Sequence, residues 1–127
     1  MTIRLRAQLE ATDGEEGERK LSRLSERVGR LVTVESANWN KNLARLEFTG
    51  LEGSDELESL REVTDAAEAV DGIKVFSIGS SMEIIKDTGP APELDVYDVK
   101  TFEGTHGLAH TRLATESVVD TCSSHPF

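Results

Sequence analysis

An α+β fold is the class this chain predicts, and three observations carry the expectation. Over residues 3–11 apolar side chains (Ile3, Leu5, Ala7, Leu9, Ala11) alternate with Arg4, Arg6, Gln8 and Glu10. Period two over that length is the mark of a half-buried strand. Leu21, Leu24, Val28 and Leu31 then recur at spacings of three, four and three, the period of an amphipathic helix. A second set of strand, helix and strand patterns follows over residues 43–78.

The elements follow in order. After the first strand, Thr12-Asp13-Gly14 predicts a turn, and Glu15 and Glu16 stand where a helix start favours acid. The helix is expected over residues 15–30, with Gly29 as its stop. Residues 31–37 are rich in β-branched side chains and read as a strand. Asn38-Trp39-Asn40-Lys41-Asn42 reads as a hairpin loop, and Trp39 is expected to fold back on the core. Residues 43–49 alternate again, with Ala44, Leu46 and Phe48 inward. Ser54 is placed to cap a second helix over residues 55–70, whose apolar face is Leu57, Leu60, Val63, Ala67 and Val70. Gly72 stands where a helix-ending glycine belongs, before a strand at 73–78. Gly79-Ser80-Ser81 reads as a turn and residues 82–86 as a further strand. The order β-α-β-β-α-β is that of a ferredoxin-like unit, a four-stranded antiparallel sheet with two helices on one face.

The domain organisation then has three parts. Residues 1–86 hold the ferredoxin-like unit. Residues 87–104 form a connector: Thr88-Gly89-Pro90-Ala91-Pro92 opposes regular structure, and residues 94–101 suit a short strand or helix. Residues 105–127 form a tail that holds all three histidines and the only cysteine.

Composition sets outer limits. A chain of 127 residues is one domain's worth and buries a modest core. A net charge of -10 opposes nucleic-acid binding, because a phosphate backbone needs a basic face. No stretch of 18 apolar residues is present, so no membrane span is expected, and the start lacks the pattern of a secretory leader. One cysteine makes no internal disulfide, which fits a reducing, cytoplasmic compartment. The glycines of the first unit fit no nucleotide-binding fingerprint, and its acidic runs read as helix starts and solvated faces.

The tail concentrates the chemistry. His106, His110, Cys122 and His125 are of metal-ligand type, and a structural zinc is one reading. Gly107 between the first two histidines weakens it, and no metal is expected. A cysteine hydrolase, with Cys122 as nucleophile and His110 or His125 as base, is another. A small, inert Cys122 is the plainer reading.

The string His110-Thr111-Arg112-Leu113-Ala114-Thr115-Glu116-Ser117, followed by His125-Pro126-Phe127, resembles the glutamine-binding segment of type-2 (N-terminal-nucleophile) glutamine amidotransferases, in their glutamate-synthase-related branch. Residues 75–87 also look like the region before that segment, so the resemblance covers about residues 73–127. It implies an αββα hydrolase domain of which residues 105–127 are part, with the ferredoxin-like unit as an inserted subdomain. It implies that Arg112 grips glutamine's α-carboxylate, as a guanidinium fork suits, that Thr115 contacts the same substrate, and that Leu113 and Glu116 line the pocket. His110 and His125 match positions that look structural. No cofactor is implied for this domain. Its partners would be glutamine and a flavin-containing, glutamate-synthase-like subunit that receives the ammonia.

The chain also departs from that pattern. The family's nucleophile is an N-terminal cysteine in a Cys-Gly-Ile-type start, whereas Met1-Thr2-Ile3-Arg4 stands here and the one cysteine is Cys122. The His-Asn-Gly segment of the oxyanion hole is not among these residues. Loss of Met1 would expose Thr2, a residue type that serves as an N-terminal nucleophile. The expectation is a piece of a larger glutaminase domain, inactive alone. Unpaired tail strands would leave room for a homo-oligomer. A different class of function, a ferredoxin-like regulatory module that binds a small molecule without catalysis, is the alternative.

Overall fold

A computed structural model describes residues 2–10, 13–51 and 55–111. The fold is α+β. Strand β1 (Ile3–Leu9) is followed by helix α1 (Gly14–Gly29), then β2 (Thr33–Asn40), β3 (Leu43–Thr49), helix α2 (Glu56–Glu68) and β4 (Ile73–Gly79). The strands form one sheet in the order β2-β3-β1-β4, every neighbouring pair antiparallel. The chain divides into two units between Ile84 and Ile85.

In the first unit, β1 is a central strand, and its alternation decides the core. Ile3, Leu5, Ala7 and Leu9 are all fully buried, as are Ala44, Leu46 and Phe48 beside them on β3. Helix α1 packs against β2 and α2 against β4, and the two helices touch, so they share one face of the sheet. Leu24 and Val28 of α1 and Val63 and Ala67 of α2 complete the core. Each such large aliphatic side chain contributes about 1.5–3 kcal/mol by leaving water.

The helix ends follow the sequence chemistry. Asp13 caps α1, its carboxylate accepting the Glu16 N–H at 2.8 Å. Asp55 caps α2 in the same way, accepting the Glu58 N–H at 3.0 Å. Both satisfy a donor that the first helical turn leaves without an intrahelical partner. Ser54, expected as that cap, lies outside the described residues, as does Ala11 at the end of the first alternation. Gly72 turns the chain into β4 with φ +82, a left-handed conformation that costs glycine nothing.

Four local expectations are corrected. Strand β2 runs on to Asn40, so the hairpin turns on Lys41 and Asn42 alone. Asn38 and Trp39 are therefore strand residues, and cross-strand pairing with Arg45 and Ala44 overrides their turn preference. Residues 82–86 are no strand: the Ile84 N–H goes to the Ser77 hydroxyl rather than to a backbone carbonyl. Leu31 and Leu57, expected on the apolar faces, are 47% and 62% exposed. Leu31 lies beyond the end of α1, and Leu57 sits in the first turn of α2. Trp39 packs against the core, as expected of it.

In the second unit, Ala91–Tyr97 and Val99–Thr101 are short 3-10 helices within the expected connector. Prolines suit the first: fixed φ at the start of a helix is preorganised, and the missing N–H is not needed there. Tyr97 is buried at 2% exposure and donates its hydroxyl to Asp87 Oδ2 at 2.8 Å. Asp87 Oδ1 also accepts the Thr88 N–H at 2.8 Å. Asp98 breaks the helical run in the left-handed conformation, with φ 54.

Candidate functional site

The residues singled out by sequence divide at Thr111. His106 and His110 are described and exposed, and the Thr105 hydroxyl lies 2.9 Å from His106 Nδ1. Arg112, Leu113, Thr115, Glu116, Cys122 and His125 lie outside the described residues. Among the described residues, no group of three or more His, Cys, Asp or Glu side chains is placed to hold a metal ion. No described helix is long and apolar enough to cross a membrane.

Two features of the first unit were not read from the sequence. The first is an ionic cluster on the sheet face opposite the helices. Arg6 of β1 and Arg45 of β3 stand directly across from each other in the strand register. Arg6 is only 4% exposed. Glu83, arriving from beyond β4, bridges them. Its Oε1 accepts from Arg45 Nε at 2.8 Å and from Arg6 Nε at 3.3 Å, and its Oε2 accepts from Arg45 Nη2 at 3.3 Å. Arg45 Nη1 donates in turn to Glu47 Oε1 at 2.5 Å.

The physics of the cluster is explicit. Like charges directly opposite on antiparallel strands repel, and a buried guanidinium does not lose its proton. A carboxylate between the two removes the repulsion and supplies charge-assisted hydrogen bonds. Burial by itself pushes the Glu83 carboxyl up, but the hydrogen bond and charge of Arg45, with those of Arg6, outweigh it and hold the group below its ordinary value. The Glu83 hydrogen bond, against the opposing effect of burial, likewise raises Arg45. A partial sequence signal was present: the outward positions of β1 and β3 carry three arginines, Arg4, Arg6 and Arg45, against one acid, Glu47. Glu83 gave no signal, because nothing in the linear chain says that it crosses the sheet.

The second feature is a shallow, open depression of about 340 Å³ beside β4. Val75, Phe76 and Ile78 of β4 and Thr64 of α2 line it, with Ser81, Met82 and Ile84. A bulge in β4 lies here: Ser77 pairs with Arg6 and Val75 with Ala7, so Phe76 is the extra residue. The lining is mainly apolar, with no convergent set of charged groups, and it has the shape of a contact surface more than of a reaction chamber.

No family model matches the chain. Two curated proteins do. Over 56 residues the chain is 43% identical to the glutamine amidotransferase-like protein GlxB of Rhizobium meliloti (strain 1021), a stretch covering 43% of this chain and 19% of that protein. Over 61 residues it is 43% identical to a putative glutamine amidotransferase of Methanothermobacter thermautotrophicus, covering 47% of this chain and 20% of the relative. The aligned stretch thus spans about a fifth of the length of each. Over that stretch the chain is related to glutamine amidotransferase-like proteins.

Proposed function

We propose that these residues are the glutamine-binding portion of a type-2 glutamine amidotransferase domain of the glutamate-synthase-related branch. The carrying observation is the 43% identity to two proteins that are both named for glutamine amidotransfer. The string from His110 to Ser117 supports the finer assignment, with Arg112 as the carboxylate grip, Thr115 as the second substrate contact and Leu113 and Glu116 lining the pocket. His110 and His125 would hold the segment in shape. The ammonia released by the whole domain would pass to a flavin-containing, glutamate-synthase-like subunit.

The β-α-β-β-α-β order and the β2-β3-β1-β4 sheet support reading the first unit as a ferredoxin-like subdomain of such a protein. That fold hosts many functions, so it adds nothing to the chemistry by itself. The 127 residues would bind glutamine without cleaving it, because Cys122 is their one cysteine and the family mechanism uses a cysteine with a free α-amine.

The coding sequence around this reading frame tests the proposal. A Cys-Gly-Ile-type segment upstream and a His-Asn-Gly segment downstream are the expected finding. Start and stop signals with neither segment nearby would favour the regulatory-module alternative, whose ligand would sit on the first unit.

A further inference from the structure

The last residues of the first unit, 80–84, form no helix or strand. Yet they are held against the sheet at two adjacent points. Glu83 reaches across to Arg6 and Arg45, and the Ile84 N–H donates to Ser77 Oγ at 3.0 Å. Apolar burial contributes little to the hold at Met82, which is 64% exposed, and more at Ile84, which is half-buried. The same segment supplies Ser81, Met82 and Ile84 to the lining of the depression, together with residues of β4 and Thr64 of α2.

We propose that residues 80–84 are a strap closed by a polar latch, the Arg6–Glu83–Arg45 bridge, and that opening the latch lifts the strap and widens the depression while the sheet stays intact. Two things make the opening local. The strap contributes no strand to the sheet, so lifting it breaks no ladder hydrogen bond. The arginines are held on β1 and β3, whose inward side chains are buried in the core independently of Glu83. Free energies of local opening are set by the bonds and apolar area that the opening loses, and here those are few. The latch is therefore the main term that distinguishes closed from open.

The test is amide hydrogen exchange on the 127-residue protein, comparing wild type with Glu83→Gln and, separately, Arg45→Lys. Glutamine keeps the size of Glu83 and removes its charge. Lysine keeps the charge of Arg45 and removes the fork. The expected result is exchange at residues 81–84 faster by roughly tenfold in Glu83→Gln, and by less in Arg45→Lys, in each case by clearly more than any fall in the protection of β1 and β3. Unchanged exchange at residues 81–84 in both variants would overturn the proposal. So would a matching loss of protection across β1 and β3, because Glu83 would then support the whole sheet and not a strap. Neither readout involves glutamine, so the outcome is independent of the amidotransferase reading.

Discussion

Gly17 of α1 and the indole of Trp39 on β2 are in direct contact: a Cβ on Gly17 would lie 2.5 Å from Cζ2 and 2.6 Å from Cη2 of the ring. No real Cβ tolerates that approach, so glycine at 17 is what lets the helix lie down on the aromatic ring. Alanine would gain about 1 kcal/mol of helix propensity but must push the ring or the helix away, at about 1–3 kcal/mol. Gly17→Ala is therefore expected to lower stability, by up to about 2 kcal/mol, in urea unfolding. In a Trp39→Leu background the same change should cost less or stabilise, since the ring is gone. Equal costs in both backgrounds would remove the contact from the account.

The core predicts a sharp contrast between two leucines that the sequence placed in equivalent roles. Leu24 is fully buried and Leu57 is 62% exposed. Leu24→Ala should cost about 2–5 kcal/mol, and Leu57→Ala within about 0.5 kcal/mol of nothing. Chemical denaturation of the two variants decides it.

Glu83 makes stability depend on pH in a definite direction. Its carboxyl is held below the ordinary value of about 4.5. Folding thus favours the charged form, and the contribution is fully present above that ordinary value. It is lost as pH falls through the lowered value in the folded protein, when Glu83 takes a proton and releases Arg6 and Arg45. Glu47 also accepts a hydrogen bond from Arg45. Comparison with Glu83→Gln isolates Glu83: the wild type should be the more stable at pH 7, and the gap should narrow as pH falls from the ordinary value through the lowered one. A gap that widens in acid would contradict the sign.

In the second unit, the Tyr97–Asp87 bond ties one end of the 3-10 helix to the start of the segment. Tyr97→Phe removes the hydroxyl alone and leaves the Asp87 carboxylate one donor short. A loss of about 1–2 kcal/mol is expected, confined to amides of residues 87–101 in hydrogen exchange.

Much of the first unit was legible because period two and period 3.6 are written directly in Ile3, Leu5, Ala7 and Leu9 and in Leu24 and Val28. β3 matched its expected bounds at Leu43–Thr49 because its alternation is uninterrupted. The errors fall where local preference and tertiary contact disagree. Asn38 to Asn42 favours a turn, but pairing with β3 draws all but two of those residues into the ladder. Residues 82–86 carry strand-like side chains, but Glu83 is captured across the sheet by two arginines. The bridge depends on a partner 77 residues away in one case and 38 in the other, a separation that no local pattern encodes. The glutamine string was legible as a string, while its residues from Arg112 onward lie outside the described part of the chain.

The most direct measurement of the central claim is glutamine binding to the 127-residue protein, followed by calorimetry or by side-chain NMR of Arg112. The account predicts saturable binding of glutamine, loss of that binding in Arg112→Ala, and none for the analogue whose α-carboxylate is converted to an amide. Absence of glutamine binding, or equal binding by wild type and Arg112→Ala, would contradict it.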